Sequence, residues 1–279
     1  MTELLPIIGI VVAALAIIAL GWWLFIESEG VYLGRRVVIW LYDVYADRYD
    51  DIKHFQKDYD HAYLAHPIME LIAPHRAPLV LDVATGTARM PLAFLSHAWF
   101  QGRVVGADLS RRMLTKAAAK LEGEARVTLV WTPAERLPFA DNTFDVVTCL
   151  EALEFMERPE AAMAECVRVL RPGGVLLLTN RINTRLMPGK TMPAEQMEAL
   201  LLGMGIEDVD IEYWQVDYDR VWGIKAGDSQ PTGSRPFAEI LRCPTCGALL
   251  EPSDAAYTCP NGHLSARIAA DGVVEMTQP

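Results

Sequence analysis

The chain has 279 residues, 52% hydrophobic and 22% charged, which is too apolar for a disordered segment and long enough for one large domain plus a small module. With 36 Asp and Glu against 25 Lys and Arg the net charge is −11, which argues against a protein whose affinity comes from neutralising nucleic-acid phosphates. Five cysteines, three of them in the last 37 residues, suit a metal site better than a disulfide framework.

Residues 4–26 run LLPIIGIVVAALAIIALGWWLFI without a charge. As a helix at 1.5 Å per residue this stretch covers about 34 Å, against a hydrocarbon core of about 30 Å. A cleaved signal peptide would want a basic start and a small-x-small cleavage site; this segment opens on Met-Thr-Glu and ends in Trp22, Trp23 and Phe25, which suit a membrane interface. The reading is a single-pass anchor over residues 1–30. Arg35, Arg36 and Arg48 follow the span and no Lys or Arg precedes it, so the bulk of the chain is expected on the cytoplasmic side.

Residues 31–76 carry apolar and aromatic positions at helical spacing, among them Trp40, Val44, Leu64 and Ile68, and are expected to form two or three helices as a lid. From residue 77 the pattern changes to short apolar runs alternating with helical stretches. PLVLDV, RVVGAD, RVTLVW, FDVVTCL and GVLLLTN read as strands, with helices near 89–99, 110–122 and 157–170 between them. Such alternation predicts an α/β domain: a doubly wound, mostly parallel, seven-stranded Rossmann-like sheet over 77–226. A helix at about 193–203 and the strands IEYWQV and RVWGIKA complete it. Residues 227–236 read as a linker, and 237–279 as a separate module.

In such sheets a ligand sits beyond the carboxyl ends of the strands, where the strand order reverses. The first loop, Asp82-Val83-Ala84-Thr85-Gly86-Thr87-Ala88, has one glycine among small residues and an acid at the strand end. An acid there would repel a pyrophosphate and suits a cationic ligand group. Asp108, 26 residues later at the tip of the next strand, can accept both hydroxyls of a ribose; equally, it can cap the helix that follows.

The segments VLDVATGTA, VVGADLSRRML, AERLPFADNTFDVV and RVLRPGGVLLL, in that order, resemble the successive motifs of class I S-adenosylmethionine-dependent methyltransferases, in particular the type 11 group that includes ubiquinone and menaquinone C-methyltransferases. The resemblance spans roughly residues 40–180. It implies S-adenosylmethionine as cofactor, with Asp82, Ala84, Thr85 and Gly86 at its methionine end, Asp108 on the ribose, Leu109 and Ala134 near the adenine, and Leu150 in the wall. Two positions depart from the family pattern: Ala88 stands for the third loop glycine, and Pro133 for the acid that meets the adenine amino group, so that Glu135 or backbone groups would have to compensate. Glu154 lies where the family shows a polar residue near the acceptor and is the candidate general base, although Glu151 and Glu154 also read as successive solvated positions on a helical turn. Tyr49 falls where related enzymes fold a helix over the cofactor, and also reads as a packing residue.

Near the end, Cys243, Cys246, Cys259 and His263 follow the spacing C-x2-C-x12-C-x3-H of a structural zinc ribbon. A module this short, with few large apolar side chains, needs a metal to fold, and four ligands imply a closed, non-catalytic site. The terminal His resembles a variation seen in some ribosomal-RNA guanine methyltransferases, yet the module carries two Arg against five Asp and Glu, which favours a substrate cover or protein contact over RNA. Cys149 and Cys166 read as inert core thiols, and His54, His61, His66, His75 and His97 as packing or surface residues without ligand spacing. The expected activity is methyl transfer at a bilayer surface to a small or lipid acceptor. Methylation of RNA or protein, and a cofactor-binding scaffold without turnover, are the alternatives.

Overall fold

The computed structural model describes residues 4–53 and 57–276. At its centre lie strands β1 (Leu79–Val83), β2 (Arg103–Asp108), β3 (Val127–Trp131), β4 (Phe144–Cys149) and β5 (Leu170–Arg181), all parallel, continued past β5 by the antiparallel β7 (Tyr218–Lys225) and β6 (Ile206–Gln215). The order β6-β7-β5-β4-β1-β2-β3 reverses between β1 and β4. In register, Asp82 on β1 lies beside Gly106 on β2 and Thr148 on β4, so the carboxyl ends of these three strands form one rim.

Both faces of the sheet are covered, which is why its central strands are apolar at nearly every position. Leu81, Val105 and Val147 face helices α8 (Pro159–Val169) and α9 (Ala194–Gly203) through Met163, Cys166, Met197 and Leu201. Val80, Val104 and Val146 face the opposite layer, where Leu64, Ile68 and Met69 of the segment up to α5 (His66–Leu71) pack with Phe94 of α6 (Arg89–Ser96). α6 ends three residues before the expected limit, and α7 (Arg111–Lys120), capped by the Ser110 hydroxyl, follows β2.

The apolar N-terminal segment forms α1 (Leu4–Trp22) and a π-helical turn (Trp23–Glu27). The stretch Leu5–Glu27, whose most apolar part has mean hydropathy 2.6, is long and apolar enough to cross a membrane, and Leu5–Leu20 are exposed along their whole length. The foot of this helix is tied to the loop after β5: the Trp23 indole donates to the Arg185 carbonyl at 3.3 Å and the Tyr32 hydroxyl to the Pro188 carbonyl at 3.1 Å. Helices α2 (Arg35–Tyr45) and α3 (Tyr49–Lys53), then α4 (Lys57–Asp60), lead from there across the sheet rim.

The sheet has eleven strands rather than the expected seven. β3 would be an open edge, and β11 (Val274–Glu275) pairs with it in parallel at Val130 and Trp131, carrying β10 (Ser265–Ile268), β9 (Ala256–Thr258) and β8 (Glu251–Pro252) behind it. Arg111 adds a two-pronged contact to Asp271 at 2.8 and 2.9 Å and a bond to Glu275 at 2.9 Å. Covering the edge removes an aggregation template that an isolated seven-stranded sheet would present. Segment 227–236 has no regular structure but is fastened down: the buried Asp145 carboxylate accepts from the backbone of Leu79, Thr232 and Gly233 and from Arg171.

Candidate active site

The loop after β1 makes three left-handed turns, at Ala84 (φ 56°), Gly86 (φ 55°) and Ala88 (φ 74°). For the two alanines this conformation costs on the order of 1 kcal/mol each. The reason is visible in the hydrogen bonds. The path aims the Gly86 amide at Asp108 Oδ2 (2.8 Å) and the Thr85 amide at the Ala107 carbonyl (3.0 Å), clamping the loop onto the end of β2. Gly106 lies beneath, where a Cβ would come within 2.9 Å of Leu129 and 3.0 Å of Thr85.

Above the rim lies a cleft of about 820 Å³. Its floor is Ala84, Gly86, Asp108 and Leu109; one end is Thr132, Ala134 and Glu135, the other Leu150, Glu151 and Ala152, and the roof is Arg35, Val38, Tyr42 and Tyr49. Asp82 and Thr85 line a smaller hollow of about 350 Å³ that shares Tyr49, Ala84, Gly86, Leu150 and Glu151 with the cleft. The two acids therefore face adjoining hollows with a shared wall, from adjacent strands.

Both carboxylates are costly to keep charged. Burial pushes Asp82 up to about 6, against the opposing hydrogen bond from the Thr148 hydroxyl at 2.6 Å, and the nearby Asp108 adds to the rise. Asp108 is also raised by burial, opposed by the amides of Ser110 (2.7 Å) and Gly86, each of which takes one lone pair of one oxygen. The remaining lone pairs are available to a ligand.

The roof is held by charge. Ser110 donates to Asp43 of α2, Asp47 pairs with Lys116 and Arg112 of α7, and Asp50 with Lys120 and the Thr87 hydroxyl. At the end lined by Thr132 and Ala134, Arg35 of α2 grips Glu135 at 3.0 Å, so Glu135 is neutralised by the lid. Pro133 brings no side-chain acceptor; Thr132, in the wall, is a polar group that sequence reasoning missed. Tyr49 sits over the loop, with the space where a Gly86 Cβ would go 3.8 Å from its ring.

Glu154 does not line the cleft, and neither it nor Glu151 is solvated. Glu151 is in the cleft wall, bound to Arg89 at 2.6 Å, and Arg89 also holds Asp60. Glu154 is buried in the wall of a neighbouring hollow that shares Met156 with the cleft. Its Oε1 accepts from Arg181 and from the Tyr218 hydroxyl, while Oε2 has no partner; burial raises its pKa against those two donors. The fixed point sequence reasoning missed is Arg181, 27 residues downstream on β5.

In the C-terminal module, the ligating atoms of Cys243, Cys246, Cys259 and His263 lie within 4.8 Å of one another. Cys246 and Cys259 Sγ are 3.6 Å apart and Cys259 Sγ is 3.7 Å from His263 Nδ1, near the edge of about 3.8 Å for a tetrahedron with 2.3 Å metal–sulfur bonds. Cys149 and Cys166 are fully buried, with thiol pKa values raised by burial. His61, His66 and His97 stack on one another with ring centroids 5.1 to 6.2 Å apart, a grouping the spacing did not disclose, and His54 lies outside the described residues.

Residues 81–178 match the family described as a methyltransferase domain. A demethylmenaquinone methyltransferase of Thermobifida fusca is 34% identical over 239 residues, 85% of this chain and 86% of that protein. The chain belongs to the class I S-adenosylmethionine-dependent methyltransferase family. A ubiquinone/menaquinone biosynthesis C-methyltransferase of Roseobacter denitrificans is 35% identical over 153 residues, and there the match spans 54% of this chain and 60% of that protein. The crystal structure of an S-adenosylmethionine-dependent methyltransferase from Aquifex aeolicus superposes with a TM-score of 0.50 at 18% identity, covering 62% of this chain and 95% of that one, a likeness of fold.

The raised Asp82 value has a consequence for the ligand-free methyltransferase. The folded chain holds this proton more tightly than the unfolded chain, whose carboxyl titrates near 3.8, so above about 6 both states are ionised and the full penalty stands, up to about 3 kcal/mol. Asp82→Asn, which keeps an acceptor for Thr148, is expected to raise the melting temperature at neutral pH, and the gain should shrink as pH falls through 6 toward 4. A variant less stable than wild type at neutral pH in thermal melts would contradict this.

Proposed function

We propose that the chain transfers a methyl group from S-adenosylmethionine to a small, lipophilic acceptor at the cytoplasmic face of a membrane, in which the N-terminal helix anchors it. The observation that carries the reading is the pair of adjoining hollows that Asp82 and Asp108 face: a cationic amino group at one end and two ribose hydroxyls at the other suit two carboxylates whose ionisation burial opposes. The residues fit such a ligand. Gly86 leaves the floor open, Leu109 and Ala134 offer apolar contact for a purine, and Thr132 can bond its edge.

When bound, the cofactor supplies an electrophilic methyl on a positively charged sulfur. The chain's own work is to align the acceptor and keep out water. The roof formed by Tyr42 and Tyr49, whose phenol pKa values burial lifts well above the ordinary range, does this with neutral rings. An acceptor that reacts through carbon or oxygen must also lose a proton. Glu154 is the proposed recipient, reached through the hollow that meets the cleft at Met156: its Oε2 has no partner among the described residues, and Arg181 and Tyr218 fix Oε1. Its raised pKa predicts that turnover climbs with pH above the usual carboxylate range.

The relatives' names supply the acceptor class, a quinone precursor, and the exposed apolar helix supplies the location. Arg36 and Arg48, exposed beyond the span, support the cytoplasmic orientation. Cys243, Cys246, Cys259 and His263 are proposed to hold a structural zinc ion. The module packs against β3 and loop 136–139, where the Arg242 amide donates to the Pro138 carbonyl at 2.8 Å, and a protein partner is proposed to dock on its remaining surface.

Incubating the full chain with labelled methyl donor and membrane, RNA and protein fractions should place the label in solvent-extractable membrane lipid; label confined to RNA or protein would overturn the acceptor class. Glu154→Gln should lower kcat about 100-fold, with affinity for S-adenosylhomocysteine unchanged. Metal analysis should find about one zinc per chain. Chelation should speed hydrogen exchange across 241–276 while cofactor affinity changes by less than about tenfold. A chelated protein with unaltered exchange would remove the zinc assignment.

A further inference from the structure

At the foot of the N-terminal helix lies a second hollow, about 900 Å³, which no part of the cofactor reading uses. Phe25 and Ile26, in the last turn of the apolar span, form one wall; Leu41 of α2 and Ile52 of α3 form the other. Tyr42 and Tyr49 close its inner end, and both also line the cofactor cleft. Two side chains thus separate the cleft from a largely apolar chamber at the end of the span, whose lining also includes Glu29 and Arg185.

The outer surface of the lid matches this placement. On α2, Arg36, Trp40 and Val44 are exposed at one-turn spacing, and Leu33 and Arg48, in the turns before and after the helix, are exposed as well. An aromatic and an aliphatic residue flanked by arginines is the pattern of a helix lying in a headgroup layer. Ile52, 53% exposed, stands at the mouth of the hollow. The span fixes where the mouth opens: Phe25 and Ile26 lie at its end, so the chamber meets the acyl boundary and not bulk water.

We propose that this hollow is the port by which a bilayer-resident acceptor reaches the cleft, its apolar tail lying against Phe25, Ile26, Leu41 and Ile52 while its head passes Tyr42 and Tyr49. The Tyr42 hydroxyl, held by Glu29 at 2.8 Å, offers a polar contact to the head on its way in. The inference rests on the lipophilic-acceptor reading above and assigns it a site.

The test uses the full chain in phosphatidylcholine–phosphatidylglycerol vesicles. Two acceptors are compared, a farnesylated 1,4-naphthoquinol and the same quinol without its tail. Ile52→Trp and Ile26→Trp, both at partly exposed positions where the fold tolerates bulk, should raise KM for the tailed acceptor about tenfold relative to the tail-less one. Equal effects on both acceptors, or none, would overturn the port. If neither quinol is methylated, the acceptor class fails, and the hollow is read by itself with farnesol carrying a diazirine. Labelling concentrated on Phe25, Ile26 and Ile52, and lost in the Trp variants, sustains it; labelling spread evenly along Leu4–Trp22 overturns it.

Discussion

Two carboxylates, on the ends of neighbouring parallel strands and withdrawn from water, set the terms for everything built around them. Asp82 and Asp108 raise each other's cost of ionisation, and backbone amides and one hydroxyl only partly offset it. The sheet imposes the arrangement: parallel pairing of β1 and β2 in this register leaves both acids at the rim where strand order reverses. The loop between β1 and α6 then accepts left-handed turns at two alanines so that its amides can face Asp108 and β2. Positive charge and hydroxyl donors brought against these two carboxylates would relieve the cost that burial imposes on them.

The remaining elements serve that crevice in different ways. Helix α2 roofs it and is secured by acids that pair with the basic face of α7, contacts that are individually weak because most of them are exposed to solvent. Arg35 joins the roof to the far wall through Glu135. The C-terminal module, reached by a segment pinned to Asp145, extends the sheet beyond β3 and bonds to the loop 136–138 that follows Glu135. The apolar N-terminal helix, bonded to the loop after β5, joins the same roof from the opposite side.

Much of this was legible in the sequence because it rests on local patterns. Apolar runs of five or six residues marked β1 to β4, and an acid at the end of two successive runs marked the crevice. What could not be read depends on partners distant in the chain. Glu154 looks like a surface residue until Arg181 and Tyr218 bury it, and Glu135 like a free acceptor until Arg35, a hundred residues earlier, neutralises it. β11 is two residues long and exists because β3 needs a partner, so no periodicity announces it. Ala84 and Ala88 are ordinary residues in the sequence, and their left-handed turns are imposed by the amides the loop must aim.

The central claim is that Asp108 and Asp82 grip one ligand between them. Titration calorimetry of the detergent-solubilised full chain with S-adenosylhomocysteine, on wild type and on Asp108→Asn, tests it most directly. The account requires one site per chain in the wild type and a loss of about tenfold or more in the variant, since an amide presents one acceptor oxygen where two are needed. No heat with the wild type, or equal affinity for both proteins, would contradict it.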